Sequence, residues 1–115
     1  MNIDISDIQI VNLRDISMAP KREEYAERLA KMRQREGITY EMANDMMNDR
    51  NYFGMMMVEM GDADAFITGQ YSKYSGTIKA AKAVIGIRPP FKHFGTMHIL
   101  NSKKGLYFIA DTLIN

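Results

Sequence analysis

The chain has 115 residues, a length that suits one domain and leaves little room for two. Hydrophobic residues make up 46% and charged residues 25%, ordinary values for a soluble globular protein, and the formal net charge of +1 gives no sign of a nucleic-acid or anionic-membrane partner. The absence of cysteine excludes disulfides, a thiol nucleophile and a cysteine-ligated metal, and it fits a cytoplasmic location.

No apolar run approaches the roughly 20 residues of a membrane helix. Met1-Asn2-Ile3-Asp4 lacks the basic and apolar regions of a signal peptide. In chain order, Ile8 to Val11 is a short apolar run that reads as an edge strand. Ser17-Met18-Ala19-Pro20 reads as a helix start. Tyr25, Leu29 and Met32 recur on one face, charged residues cover the rest, and Gly37 is the stop. Thr39 is the N-cap expected for a short second helix that presents Met42, Ala43 and Met46. Asn48 or Asp49 caps a third, carrying Tyr52, Phe53, Met56 and Met60 and stopping at Gly61.

Seven of the 11 methionines fall between Met42 and Met60. Their plain reading is adaptable core filling by the thioether, and the sharper one is a plastic surface packed against another domain. Ala63 to Thr68 has the length and apolarity of a buried strand ending at Gly69. Thr77 to Ile85 reads as a helix closed by Gly86 and followed by Pro89-Pro90. Phe94 to Leu100 and Leu106 to Ala110 form the last two strands. The short connection Asn101-Ser102-Lys103-Lys104-Gly105 implies an antiparallel pair. The order of helices, strand, helix and hairpin predicts an α/β fold with a mixed sheet. An apolar strand pair with no helix after it lacks a cover, so the chain reads as a piece of a longer polypeptide.

The strongest local feature is the passage from Gly61 through Gly69, then a loop to Gly76, then a helix. A strand, a Gly- and Ser-containing loop and a helix start can hold an anion, because the first-turn N–H groups are free and glycine permits close approach. Thr68, Ser72, Ser75 and Thr77 offer hydroxyls and Lys79 offers charge. An ordinary connection from strand to helix explains the same residues. Asp62 and Asp64 alternate, which suits a carboxylate pair for acid–base work or local hydrogen bonding at a turn. Of the two histidines, His93 and His98, the second sits in an apolar strand as a sheet residue. No spacing of His, Asp and Glu suggests a metal site, and no nucleophile pairs with a base. Asp111 and Asn115 follow the last strand and either face a ligand or end the strand in a turn.

Taken together, Asn51-Tyr52-Phe53-Gly54-Met55-Met56-Met57-Val58, Met60-Gly61-Asp62-Ala63-Asp64-Ala65 and Thr68-Gly69 resemble the phosphate acetyl/butyryl transferase family. So do Thr77-Ile78, Val84-Ile85-Gly86 and the closing Phe108-Ile109-Ala110-Asp111-Thr112-Leu113-Ile114-Asn115. The likeness runs over residues 20–115, including Tyr25-Ala26-Glu27 and Arg33 to Thr39. It implies part of a phosphotransacetylase-type three-layer αβα domain.

Within that family, Ser72 where transacetylases carry histidine, Tyr74, Gly95 followed by Met97, and Ala110-Asp111-Thr112 are similar to the C-terminal domain of large bacterial NADP-dependent malic enzymes. That branch implies an acyl-CoA-binding regulatory and oligomerisation domain whose partners are the rest of its parent chain and further copies of itself. NADP and a divalent metal would belong to the malate-decarboxylating part of the parent, with no cofactor in this chain. Lys79-Ala80 stands where the family carries Arg-Pro, and lysine lacks the bidentate fork that suits phosphate. The resemblance implies ligand contact by Thr68, Gly69, Tyr74, Thr77, Lys79, Asp111 and Asn115, and no catalytic residue here. The alternatives are a fragment of a catalytic phosphotransacetylase, exchanging acetyl between acetyl phosphate and coenzyme A, and a purely structural interface domain.

Overall fold

The computed structural model describes residue 4 and residues 6–69, 73–86 and 97–110. It divides into two compact units, residues 1–85 and 86–115. Four α-helices make the first: α1 Ala19–Met32, α2 Tyr40–Met46, α3 Arg50–Glu59 and α4 Tyr74–Val84. In the second, β1 Met97–Ser102 and β2 Gly105–Ala110 form an antiparallel hairpin. Helices and sheet together place the chain in the α/β class, as its sequence order predicts.

Local chemistry sets the helix limits. Pro20 occupies the first turn of α1, where a missing N–H costs nothing. A single 3-10 turn, Gln34–Glu36, follows α1 and ends at Gly37, whose φ of 86° is left-handed and suits glycine. Thr39 caps α2 by accepting from the Met42 N–H at 3.2 Å. Asp49, one of the two caps expected, caps α3 by accepting from the Asn51 N–H at 2.7 Å.

The core of the helical unit contains Tyr25, Ala26 and Leu29 of α1, Ala43 and Met47 from α2 and its end, Phe53, Met55 and Met56 of α3, and Ala80 and Val84 of α4. Tyr25 and Phe53 meet with ring centroids 5.0 Å apart. Burial of Met47, Met55 and Met56 bears out methionine as core filling. Met42 departs from expectation: it lies 46% exposed, because the short α2 packs through Ala43 one position on. The far end of the bundle is tied by Arg33, whose Nε donates to the Ala83 carbonyl at 2.7 Å across 50 positions of chain.

Two predicted strands are not strands. Ile8 to Val11 is irregular and exposed, with Ile10 at 78%. Ala63 to Thr68 runs without a ladder to any described residue. Its one apolar anchor is Phe66, whose ring fills the space a side chain on Gly54 would need, 2.7 Å from Cζ to an ideal Cβ. Ile67 points into solvent at 95% exposure. Length and apolarity alone do not separate a buried strand from an extended linker anchored by one ring. The fourth helix begins three residues earlier than Thr77, at Tyr74.

In the hairpin Met97 pairs with Ala110 and Ser102 with Gly105, leaving Lys103-Lys104 as the turn. The antiparallel pairing holds as predicted, with the strands reaching further into the connection. Phe94, Gly95 and His93 lie outside the described residues.

Candidate functional site

The predicted loop region is organised by a residue that its sequence context conceals. Asn51, in the first turn of α3, is 6% exposed and is the one buried polar side chain among the described residues. Its Oδ1 accepts from the Thr68 hydroxyl at 2.8 Å, and its Nδ2 donates to Thr77 Oγ1 over a longer 3.5 Å. Thr77 in turn donates to the Lys73 carbonyl at 3.5 Å. One side-chain amide therefore joins three places: the start of α3, the end of the extended segment and the first turn of α4. A buried amide without partners would be costly, so these contacts hold the three places together.

Thr68 and Thr77, both expected to contact a ligand, are thus brought together around Asn51, with their protons directed inward. Gly69, at φ 151°, has open space where a Cβ would stand. Tyr74 is the first residue of α4 and is 45% exposed. No side chain caps α4, since Lys73 at the N-cap makes no such bond. The Gly76 and Thr77 N–H groups donate to the Lys73 carbonyl at 3.0 and 3.2 Å, so Tyr74 and Ser75 carry the N–H groups at the open end of the helix. Lys79 is not part of this grouping. It lies two positions beyond Thr77, about 200° around the helix, on the exposed side away from the face that Ala80 and Val84 bury. Ser72, Asp111 and Asn115 lie outside the described residues.

Asn51 also forms one wall of a cleft of about 480 Å³, lined by Val11, Asn12, Leu13, Arg14, Asn48, Asp49 and Arg50. It opens at the start of α3 and carries two arginines and one carboxylate. A second cleft, about 620 Å³, lies between α1 and α2 and includes none of the predicted residues.

Of the two aspartates, Asp62 has a structural role and Asp64 is exposed. Asp62 accepts from the Tyr25 hydroxyl and from Lys21, 3.2 Å from the ammonium, so its partners are α1 side chains rather than nearby backbone. The Tyr25 hydroxyl, then Lys21, holds the Asp62 carboxyl below the usual carboxylate range. Burial, and then the carboxylate beside it, raises the Tyr25 phenol well above the usual value. Lys21, Tyr25 and Asp62 together lock the α3 exit onto α1. His98 pairs with Ile109 in the exposed hairpin. Among the described residues no group of three His, Asp or Glu is arranged to hold a metal.

Comparison with known proteins adds a family. The profile described as "Phosphate acetyl/butaryl transferase" matches residues 1–115. Over 110 residues, 95% of the chain, it is 36% identical to the "NADP-dependent malic enzyme" of Salmonella typhimurium, covering 14% of that protein. It is 32% identical over its whole length to the "Phosphate acetyltransferase" of Nitratidesulfovibrio vulgaris and 29% to that of Synechocystis sp., in each case 16% of the relative. The chain thus spans about a sixth of the length of these relatives.

Proposed function

This chain belongs to the phosphate acetyl/butaryl transferase family, and from that membership we propose that it binds the phosphate-bearing end of an acyl-CoA as part of a regulatory and assembly domain. The parent we propose is an NADP-dependent malic enzyme, which would oxidise and decarboxylate malate to pyruvate elsewhere in its chain. Nicotinamide and metal chemistry would belong to that other region of the parent.

The observation that carries this reading is the open start of α4 fixed beside Thr68 by Asn51. The Tyr74 and Ser75 N–H groups at the positive end of the helix favour an anionic oxygen there, and Gly69 leaves the approach clear. In this arrangement Thr68 and Thr77 hold the frame and Tyr74 offers an exposed ring at its edge, while Lys79 stands outside it. The 36% identity with a malic enzyme supports the choice of parent.

The test is NADPH production from malate by the full-length parent, with and without acetyl-CoA, alongside calorimetric titration of acetyl-CoA. Malate turnover that changes with acetyl-CoA is the expected result. Malate turnover indifferent to acetyl-CoA, with no heat of binding, would leave a structural module. Acetyl exchange between acetyl phosphate and coenzyme A without malate turnover would make the parent a phosphotransacetylase.

A further inference from the structure

We infer that the cleft at the junction of α2 and α3 binds a small molecule carrying a phosphate group, held by the guanidinium groups of Arg14 and Arg50. The cleft lies within the helical unit, and its volume of about 480 Å³ has room for a small phosphorylated compound. The site stands whether or not the start of α4 binds an acyl-CoA.

Three observations carry it. Arg14 and Arg50 both line the cleft, and neither guanidinium has a hydrogen bond or ion pair with any described residue. Like charges in one cleft repel, and a doubly charged anion between them turns that repulsion into attraction. Donors also outnumber acceptors there. Asn12 Oδ1 accepts from the Arg14 N–H at 3.1 Å, which leaves its amide nitrogen to donate, and the Asn48 side-chain amide has no partner among the described residues. The one carboxylate, Asp49, accepts from the Asn51 N–H at 2.7 Å as the α3 cap and pairs with neither arginine. The start of α3 is closed by that cap, so side chains rather than the helix end are the donors. Finally, both walls are held without a ligand. In the turn at 12–15 the Asp15 N–H donates to the Asn12 carbonyl at 3.1 Å, and Arg22 of α1 donates to the Leu13 and Asp15 carbonyls. Opposite, the Asn48 and Asp49 N–H groups donate to the Asp45 and Met46 carbonyls at 3.1 and 3.0 Å. Walls fixed in advance lower the ordering cost of binding. A single guanidinium fork satisfies a carboxylate, whereas a phosphate ester brings three acceptor oxygens and nearly two charges, which suit two forks and two amides.

The experiment is arginine modification by phenylglyoxal in the full-length parent, read at Arg14, Arg50 and Arg28 by peptide mass mapping. Inorganic phosphate or succinate is titrated in at constant ionic strength. Arg28, exposed on α1 and outside the cleft, reports general effects of added ions. Phosphate is expected to slow modification of Arg14 and Arg50 with one shared half-point and to leave Arg28 unaffected, while succinate needs a concentration about tenfold higher or more. Two variants sharpen the result. Arg50→Gln removes one fork and should raise the half-point at Arg14 by about tenfold or more. Asp49→Asn keeps a good N-cap and removes the negative charge, so the half-point should fall several-fold. Equal protection of all three arginines would mean an adventitious ion only and overturns the inference, as does the absence of protection at Arg14 and Arg50. Succinate as effective as phosphate overturns the phosphate assignment. Unchanged protection of Arg14 in Arg50→Gln overturns the shared site. The wild-type titration carries the main readout, so the test survives a variant that fails to fold.

Discussion

The helical unit and the hairpin treat apolar side chains in opposite ways. In residues 1–85 the helices bury Tyr25, Leu29, Met47 and Met56 completely, and the charged faces look outward. In the hairpin, Met97, Ile99, Leu106 and Phe108 lie on one face and Leu100, Tyr107 and Ile109 on the other. All of them are at least 44% exposed. A two-stranded pair of this kind is marginal in water by itself, and apolar residues on both faces are the pattern of a strand covered twice. The difference teaches that the amphipathic pattern of the helices is satisfied within their own unit, whereas that of the strands is not.

Substitutions and one titration break or sharpen this contrast. The largest effect is expected from Leu29→Ala, which should lower stability in denaturant unfolding by about 2–5 kcal/mol. Ile99→Ala, at a position 58% exposed, should move the same transition by no more than about 0.5 kcal/mol. Equal effects would show that the hairpin is as well packed as the helices. Next is Gly54→Ala. Its new methyl group would overlap the Phe66 ring, and a loss of about 1–3 kcal/mol is expected in thermal unfolding. A neutral result would mean that Phe66 swings away freely and does not anchor residues 63–68. Asp49→Ala should cost about 1 kcal/mol through loss of the α3 cap, read from helical circular dichroism on heating.

The smallest is a pH effect. The folded carboxyl of Asp62 titrates below its unfolded value of 3.8, so its contribution is present above that pH. It is lost as pH falls through the lowered folded value. Asp62→Asn should flatten the acid limb of the stability profile, and Tyr25→Phe should flatten it in part. An unchanged acid limb in Asp62→Asn would place acid sensitivity elsewhere.

Much of the helical unit is legible in the sequence because its signals are local. Thr39, Asp49, Gly37 and Gly61 act on the residues beside them, and the spacing of Tyr25 and Leu29 needs only the helical period. Residues 63–68 read as a strand because apolarity carries no information about a ladder partner, and only the fold reveals that Phe66 serves Gly54. Met42 misleads for a similar reason: one position of rotation on a two-turn helix decides which side chain is covered. At the candidate site, Thr68, Gly69 and Thr77 follow from the pattern of an extended segment, glycine and helix start, whereas Tyr74 enters only through the family resemblance. Lys79 looks equivalent in a linear reading and is separated from Thr77 by the helical turn. Asn51 escapes notice because a polar residue after a cap looks solvated. Its partners lie 17 and 26 positions away, and such contacts have no local signature.

The uneven burial of methionine gives the chain a built-in order of chemical damage. Met42 and Met97 are 46% and 53% exposed, while Met47 and Met56 are sealed. With no cysteine to intercept an oxidant, peroxide would convert the exposed thioethers to sulfoxides first and leave the core untouched. Oxygen uptake at Met56 would then mark the moment the helical unit opens, so peptide mapping after a peroxide pulse reports core opening without any label.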